Sequence, residues 1–217
     1  KINLEFVSAN PTGPLHLGHT RWAAVGDSLG RVLAAAGAQV SREFYVNDRG
    51  NQMDLFGASL RAAALGKPRP EDGYHGEYIE DLAKEIVKSN PKFTELAESE
   101  SISAFTQAGY KLQLEQQRKV LDNFGTHFDT WFSERSLYEN DFFNHSLDKL
   151  KKQGHVYEQE GAIWLRTTDF GDDKDRVMIK SDGTFAYFAS DSAYYVSKKE
   201  RGFNLCIYML GADHHGY

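Results

Sequence analysis

The sequence predicts an α/β protein: a Rossmann-like parallel sheet with flanking helices, interrupted by an inserted α+β module, with the sheet domain itself incomplete. Three observations predict it. Between Ile2 and Val46 an alternating strand, a proline-bearing loop, a helical apolar stripe and a second strand follow one another, the order of a right-handed βαβ unit. From Leu137 to Lys180 the pattern changes to short strands joined by polar turns. From Tyr187 to Leu210 a helix followed by an apolar strand restores the first pattern. The expected organisation is therefore 1–133, the first part of the sheet domain with a helical extension; 134–183, the inserted connective module; and 184–217, the return to the sheet domain.

Ile2 to Val7 alternates and is bounded by Ser8-Ala9-Asn10-Pro11-Thr12-Gly13-Pro14, where Pro11 and Pro14 forbid a helix. From Leu17 the spacing of Val25, Leu29, Val32, Leu33 and Ala36 predicts a helix closed by Gly37. A strand from about Val40 to Val46 follows. After Asn47-Asp48-Arg49-Gly50 a helix is expected to about Leu65, a loop at Gly66-Lys67-Pro68-Arg69-Pro70, and helices at Tyr78 to Val87 and Ile102 to Leu121. Phe128 to Phe132 reads as a short strand. The inserted module is expected to hold a helix ending near Lys152 and strands at Val156, Ile163 to Arg166 and Val177 to Lys180, with a polar turn from Asp169 to Asp175. A helix from Tyr187 to about Lys198 and a strand from Phe203 to Leu210, left with an unpaired edge, complete the chain.

The 217 residues suffice for a buried core, and a hydrophobic fraction of 41% with 26% charged residues is that of an ordinary folded protein. No apolar run reaches the roughly 20 residues a membrane span needs, and no signal-peptide pattern opens the chain, so a cytoplasmic protein is expected. The single cysteine, Cys206, excludes an internal disulfide and a thiolate-rich zinc cluster; it reads as core filler. A net charge of -6 confines any nucleic-acid contact to local patches. The compact basic groups Lys149, Lys151, Lys152 and Lys198, Lys199, Arg201 read as solvated helix ends. A start at Lys1 and a stop just after a motif-like segment suggest an excised piece.

The segment richest in chemistry is Pro14-Leu15-His16-Leu17-Gly18-His19, at the C-terminal end of a strand and the start of a helix, where open α/β sheets bind ligands. Unused backbone N–H groups and the helix dipole favour phosphate there, and Gly18 leaves room for a close ligand. A lone histidine more commonly caps or packs. Two, three residues apart beside that glycine, can instead donate to phosphate oxygens as charge builds during displacement at the α-phosphate.

This signature after a first strand resembles class I aminoacyl-tRNA synthetases and related nucleotidylyltransferases, in which it holds ATP. The longer string from Glu5 to His19, together with Asn47-Asp48-Arg49-Gly50-Asn51-Gln52, resembles the arginyl-tRNA synthetase family specifically. The resemblance implies His16 and His19 as catalytic residues and Pro14, His16, Gly18, His19 and His214 as the ATP site. It implies Glu5, Ser8, Asn10, Tyr187, Asp191 and Asp213 as the arginine pocket, although many arginyl enzymes carry glutamine where this chain has Asp213. Carboxylates suit the ligand, because a guanidinium presents a planar fork of donors. The implied function is ATP-dependent activation of arginine and its transfer to the 3′ end of tRNA(Arg), with Mg2+ accompanying ATP, no protein-bound metal and a monomeric full-length enzyme. A second ATP signature and the anticodon-binding domain of the family fall beyond Tyr217, so the fragment alone is expected to be inactive in full aminoacylation.

Three other readings compete. A small-molecule nucleotidylyltransferase shares the ATP signature but needs neither an acidic pocket nor a large insertion. Asp213-His214-His215 resembles the metal signature of a DHH-type phosphoesterase, which needs further acidic ligands near the early strands. A catalytically inert synthetase-like binding module would not need both histidines.

Overall fold

The computed structural model describes residues 1–139 and 141–211, Tyr187 through its backbone only. In chain order the elements are β1 (Ile2–Glu5), α1 (Leu17–Ala35), β2 (Val40–Val46), α2 (Asn51–Ala64), α3 (Glu77–Ser89), α4 (Glu98–Phe124) and β3 (Thr130–Ser133). Then come α5 (Arg135–Glu139), α6 (Phe142–Lys152), β4 (Val156–Gln159), β5 (Ala162–Leu165), β6 (Arg176–Ile179), α7 (Tyr187–Glu200) and β7 (Leu205–Tyr208). A parallel sheet runs in the order β3-β2-β1-β7, and an antiparallel sheet in the order β4-β5-β6. By its contacts the chain divides into two compact units, 4–134 with 207–217 and 1–3 with 135–206.

In the first unit, Leu4, Phe6, Phe44, Val46, Ala23 and Leu121 form a core on the sheet, with Phe128 wedged 4.5 Å from the Phe6 ring and 5.4 Å from the Phe44 ring. Alternation drives this: Leu4 and Phe6 lie two residues apart on β1 and its continuation, as do Phe44 and Val46 on β2. A second core joins α2, α3 and α4 through Met53, Phe56, Leu60, Ile79, Leu82, Ile86 and Phe105. The helices expected between Asn51 and Leu121 are thus a bundle with its own apolar centre, and α4 runs three residues past its expected end, to Phe124. There Gly125 stops it in the left-handed conformation at φ 83°.

In the second unit, the three expected strands form, and Asp172 holds Arg176 through two hydrogen bonds of 2.7 and 2.8 Å in the polar turn before β6. Glu200 at the end of α7 accepts from Lys149 on α6. Two expectations are corrected here. Lys198 is fully buried rather than solvated, because its ammonium lies 4.2 Å from the Tyr194 ring centroid four residues back on α7. Cys206 is half-buried rather than core, because β7 is an edge strand of the sheet, with Leu205 and Tyr208 exposed.

The closeness of α1 to β1 rests on Gly26, where an added Cβ would fall 2.3 Å from two atoms of the fully buried Phe6 ring. Alanine would gain up to about 1 kcal/mol in helix propensity, but forcing a methyl into a filled core costs about 1–3 kcal/mol. The clash wins, and Gly26→Ala is expected to lower the urea midpoint at an unchanged slope; an equal or higher midpoint would show that α1 can lift at little cost.

Candidate active site

The site begins where β1 stops pairing. Glu5 ends the strand and is buried, 5% exposed. Val7 and Ser8 then take positive φ values of 67° and 46°, and the Ser8 N–H donates to the Phe6 carbonyl at 3.0 Å. A hydrogen bond spanning one positive-φ residue is a γ-turn of the rare, strained kind, and β-branched Val7 is an uncommon residue to find in it. The turn brings the Ser8 hydroxyl to the Tyr45 N–H of β2, which donates to Oγ at 3.1 Å, while Oγ lies 3.5 Å from Glu5 Oε1. Ser8 therefore closes the sheet edge and sits beside the Glu5 carboxylate.

The loop that follows contains Pro11 and Pro14, which can donate no N–H, and Thr12 is only 4% exposed. Its carbonyls find donors in the helical bundle. Gln117 of α4, 1% exposed, uses one Nε2 to donate to Asn10 O at 2.9 Å and Gly13 O at 2.8 Å. The Tyr78 hydroxyl of α3 donates to Thr12 O at 2.9 Å, and burial pushes its pKa up to about 12, which keeps the donor proton in place. At the loop's first corner the Asn10 amide donates to Gln52 Oε1 at 2.8 Å. Gln52, Gln117 and Tyr78 did not figure among the expected site residues. The detectable signal was a glutamine on the apolar stripe of α4, in line with Phe105, Gly109 and Leu121.

At the other end of the loop, α1 opens with a reciprocal cap. The Gly18 N–H donates to His16 Nδ1 at 3.1 Å, and the His16 N–H donates to His19 Nδ1 at 3.1 Å. This is a capping box in which two imidazoles replace the usual hydroxyl and carboxylate. Each ring accepts at Nδ1, so in the neutral form Nε2 carries the proton. The ring centroids lie 3.8 Å apart, with His16 exposed and His19 half-buried, so two Nε2–H donors stand side by side. The expectation of unused first-turn amides is corrected at two positions, since the Gly18 N–H goes to the His16 ring and the His19 N–H to the His16 carbonyl at 2.9 Å. Gly18 permits the fold-back: a Cβ there would sit 3.0 Å from the His16 ring.

Glu5, Ser8, Asn10, Pro14, His16, Gly18 and His19 thus belong to one strand–loop–helix segment of the first unit, with Pro14 and Asn10 exposed. Asp191 lies in the second unit, exposed on α7 one turn beyond Tyr187, the first residue of that helix. Asp213 and His214 lie outside the described residues. Among the described residues no group of three or more His, Cys, Asp or Glu could hold a metal ion, and no helix is long and apolar enough to cross a membrane.

The crossover from β1 to β2 starts its helix on paired histidines at the carboxyl end of β1, the edge at which open α/β sheets bind ligands. Over residues 1–217 the chain matches the family described as "tRNA synthetases class I (R), catalytic domain", and it belongs to that family. It is 56% identical over 216 residues to an arginine–tRNA ligase of Renibacterium salmoninarum, covering 100% of this chain and 39% of that protein. A solved structure from Campylobacter jejuni, assigned as an arginyl-tRNA synthetase, superposes with a TM-score of 0.90 at 42% identity, covering 100% of this chain and 49% of that one. The Thermus thermophilus arginyl-tRNA synthetase shares the fold at a TM-score of 0.64 and 24% identity, over 89% of this chain and 35% of that one. The chain therefore spans between a third and a half of the length of these relatives. Membership of this family sets aside the small-molecule nucleotidylyltransferase and metal phosphoesterase readings.

Burial, and then the charge of His16, lower the His19 pKa below the ordinary 6.5. The unfolded chain binds this proton first as the pH falls. The stability contributed by the neutral ring is complete above about pH 6.5 and declines as the pH drops toward the folded-state value. NMR titration is expected to give His19 a midpoint below 6.5. In His16→Asn, which keeps an N-cap acceptor, the midpoint should rise part of the way back, since burial is the larger cause. A wild-type midpoint at or above 6.5 would contradict the arrangement.

Proposed function

We propose that this chain carries the arginine- and ATP-handling centre of an arginine–tRNA ligase acting in the cytoplasm. The observation that carries the reading is the pair of Nε2–H donors held by the reciprocal cap at the start of α1. In the proposed first step a carboxylate oxygen of arginine attacks the α-phosphorus of ATP, and the bond to the bridging oxygen breaks, releasing pyrophosphate and leaving arginyl-adenylate. In the second step a hydroxyl of the terminal ribose of tRNA(Arg) attacks the adenylate carbonyl, and AMP leaves.

His16 and His19 act in the first step by donating to phosphoryl oxygens as charge develops, a role in which fixed orientation is the whole contribution. Neither ring has to take a proton. Pro14 and Gly18 shape the ATP side of this segment, and His214 is assigned to the same ligand by family resemblance. Mg2+ enters with ATP as part of the substrate. Glu5, Ser8 and Asn10 are assigned to the arginine side together with Tyr187, Asp191 and Asp213, and a set containing carboxylates suits a ligand with a guanidinium at one end and an ammonium at the other.

Arginine-dependent pyrophosphate exchange by the full-length protein, with tRNA(Arg) present because activation in this family commonly needs it bound, tests the reading. His16→Ala or His19→Ala is expected to slow exchange about 100-fold or more, the usual effect of losing one transition-state donor, with arginine binding by calorimetry nearly unchanged. Comparable loss of binding and rate would assign the rings to folding alone. Asp191→Ala is expected to raise KM for arginine at least about tenfold, equivalent to roughly 1.4 kcal/mol, and to leave KM for ATP within about twofold. An equal rise for both substrates would remove Asp191 from the amino-acid pocket.

A further inference from the structure

The motif Asn47-Asp48-Arg49-Gly50-Asn51-Gln52 contributes family resemblance but no assigned role, and the structure gives its last residue one. Gln52 sits in the first turn of α2, half-buried. Its side chain lies within hydrogen-bond reach of the Asn47 carbonyl at 3.0 Å and the Arg49 carbonyl at 3.2 Å. Carbonyl oxygens only accept, so the group facing them must be the amide nitrogen. The other end of the Gln52 amide is then necessarily Oε1, and it faces Asn10 at 2.8 Å. An oxygen opposite Asn10 must be met by a donor, so Asn10 turns Nδ2 toward Gln52. Its own Oδ1 is left as the acceptor on an exposed residue, with no partner among the described residues. Two backbone carbonyls thereby set the polarity of a side chain on a different loop.

We infer that Gln52 is a positioning residue for amino-acid recognition: it locks the Asn10 amide so that Asn10 offers an acceptor to a cationic group of the ligand. This rests on the arginine-handling role proposed above. An unlocked asparagine amide can present either end, and its NH2 end repels the donors of a guanidinium or an ammonium. The backbone of Asn10 is held separately, its carbonyl accepting from Gln117, so loss of Gln52 frees the side-chain rotation without freeing the loop.

The chemistry makes a prediction in which the sign changes with background. In the full-length protein, Gln52→Met removes both ends of the lock, and KM for arginine in pyrophosphate exchange is expected to rise about tenfold, while KM for ATP stays within about twofold, tenfold being the factor that loss of one such contact commonly gives. In an Asn10→Asp background either oxygen of the aspartate is an acceptor, so rotation no longer matters. There Gln52 Oε1 opposes an oxygen, and the same Gln52→Met change is expected to leave KM for arginine unchanged or lower it. If Gln52 merely braces the 47–50 loop, its loss costs the same in both backgrounds, and that result overturns the inference. An unchanged KM in the single variant overturns it too.

Gln52→Lys is the second variant. It keeps a donor for the two carbonyls and so spares the loop, but it offers Asn10 only donors and is expected to raise KM for arginine as Gln52→Met does. Thermal midpoints of all variants identify any that fail to fold. Should the wild-type protein itself show no arginine-dependent exchange even with tRNA(Arg) supplied, the functional reading fails instead, and the two failures are distinguishable.

Discussion

The arrangement of the site depends on one constraint: a loop containing two prolines, with buried residues in it, cannot satisfy its own carbonyls. Strand pairing has ended before Asn10, and the first helical hydrogen bonds begin only at His16. A buried carbonyl left unpaired costs about 1–3 kcal/mol, and the loop has three that need outside donors. Gln117 and Tyr78 supply them from α4 and α3, 66 to 107 residues along the chain. The helical bundle between β2 and β3 is therefore more than a peripheral decoration. It fixes the path of the loop, and through the loop it fixes where α1 and its two histidines begin.

The backbone is strained at the other end of the same segment. Left-handed conformations cost an ordinary residue about 1–2 kcal/mol, and two consecutive residues, Val7 and Ser8, adopt positive φ. Burial of Phe6 and Val7 offsets that cost, and the turn lets the Ser8 hydroxyl accept the Tyr45 N–H that β1 no longer serves. An extended continuation of β1 would alternate its side chains across the sheet. The turn instead brings the Ser8 hydroxyl back beside the carboxylate of Glu5. Strain placed where a sheet edge meets a candidate site has a ready explanation as orientation of functional groups.

How far the sequence could be read follows from the range of the forces involved. The β1–loop–α1–β2 unit was legible because alternation, proline, glycine and helical period are local signals, and the histidine pair lies within one of them. The three antiparallel strands of the second unit were legible for the same reason. What escaped depended on contacts between distant residues. Gln117 and Gln113 stand on the buried stripe of α4, where a pattern reader expects apolar side chains, and only the path of the loop explains Gln117. Lys198 is the exception: its ring partner Tyr194 stands one turn back on the same helix, and it was misread because a basic residue near a helix end is ordinarily solvated. Gln52 stood inside a recognised motif, but its meaning required knowing which carbonyls it faces.

The two histidines show why fold and chemistry cannot be separated here. Each ring is committed at Nδ1, which caps the helix, and this leaves Nε2 to carry the proton of the neutral imidazole. Protonating His19 would put hydrogen on Nδ1 and break the cap it provides to the His16 N–H, so the charged ring and the intact helix start are incompatible. Burial and the neighbouring His16 already disfavour that charge. In the proposed reaction the donors are accordingly neutral imidazoles of fixed tautomer, and attraction for phosphate comes from the helix dipole and from the metal that travels with ATP. Such donors hold the triphosphate less tightly in the ground state than two cations would, yet they need no reorientation as charge shifts onto the departing pyrophosphate. A site that must release its product benefits from that balance.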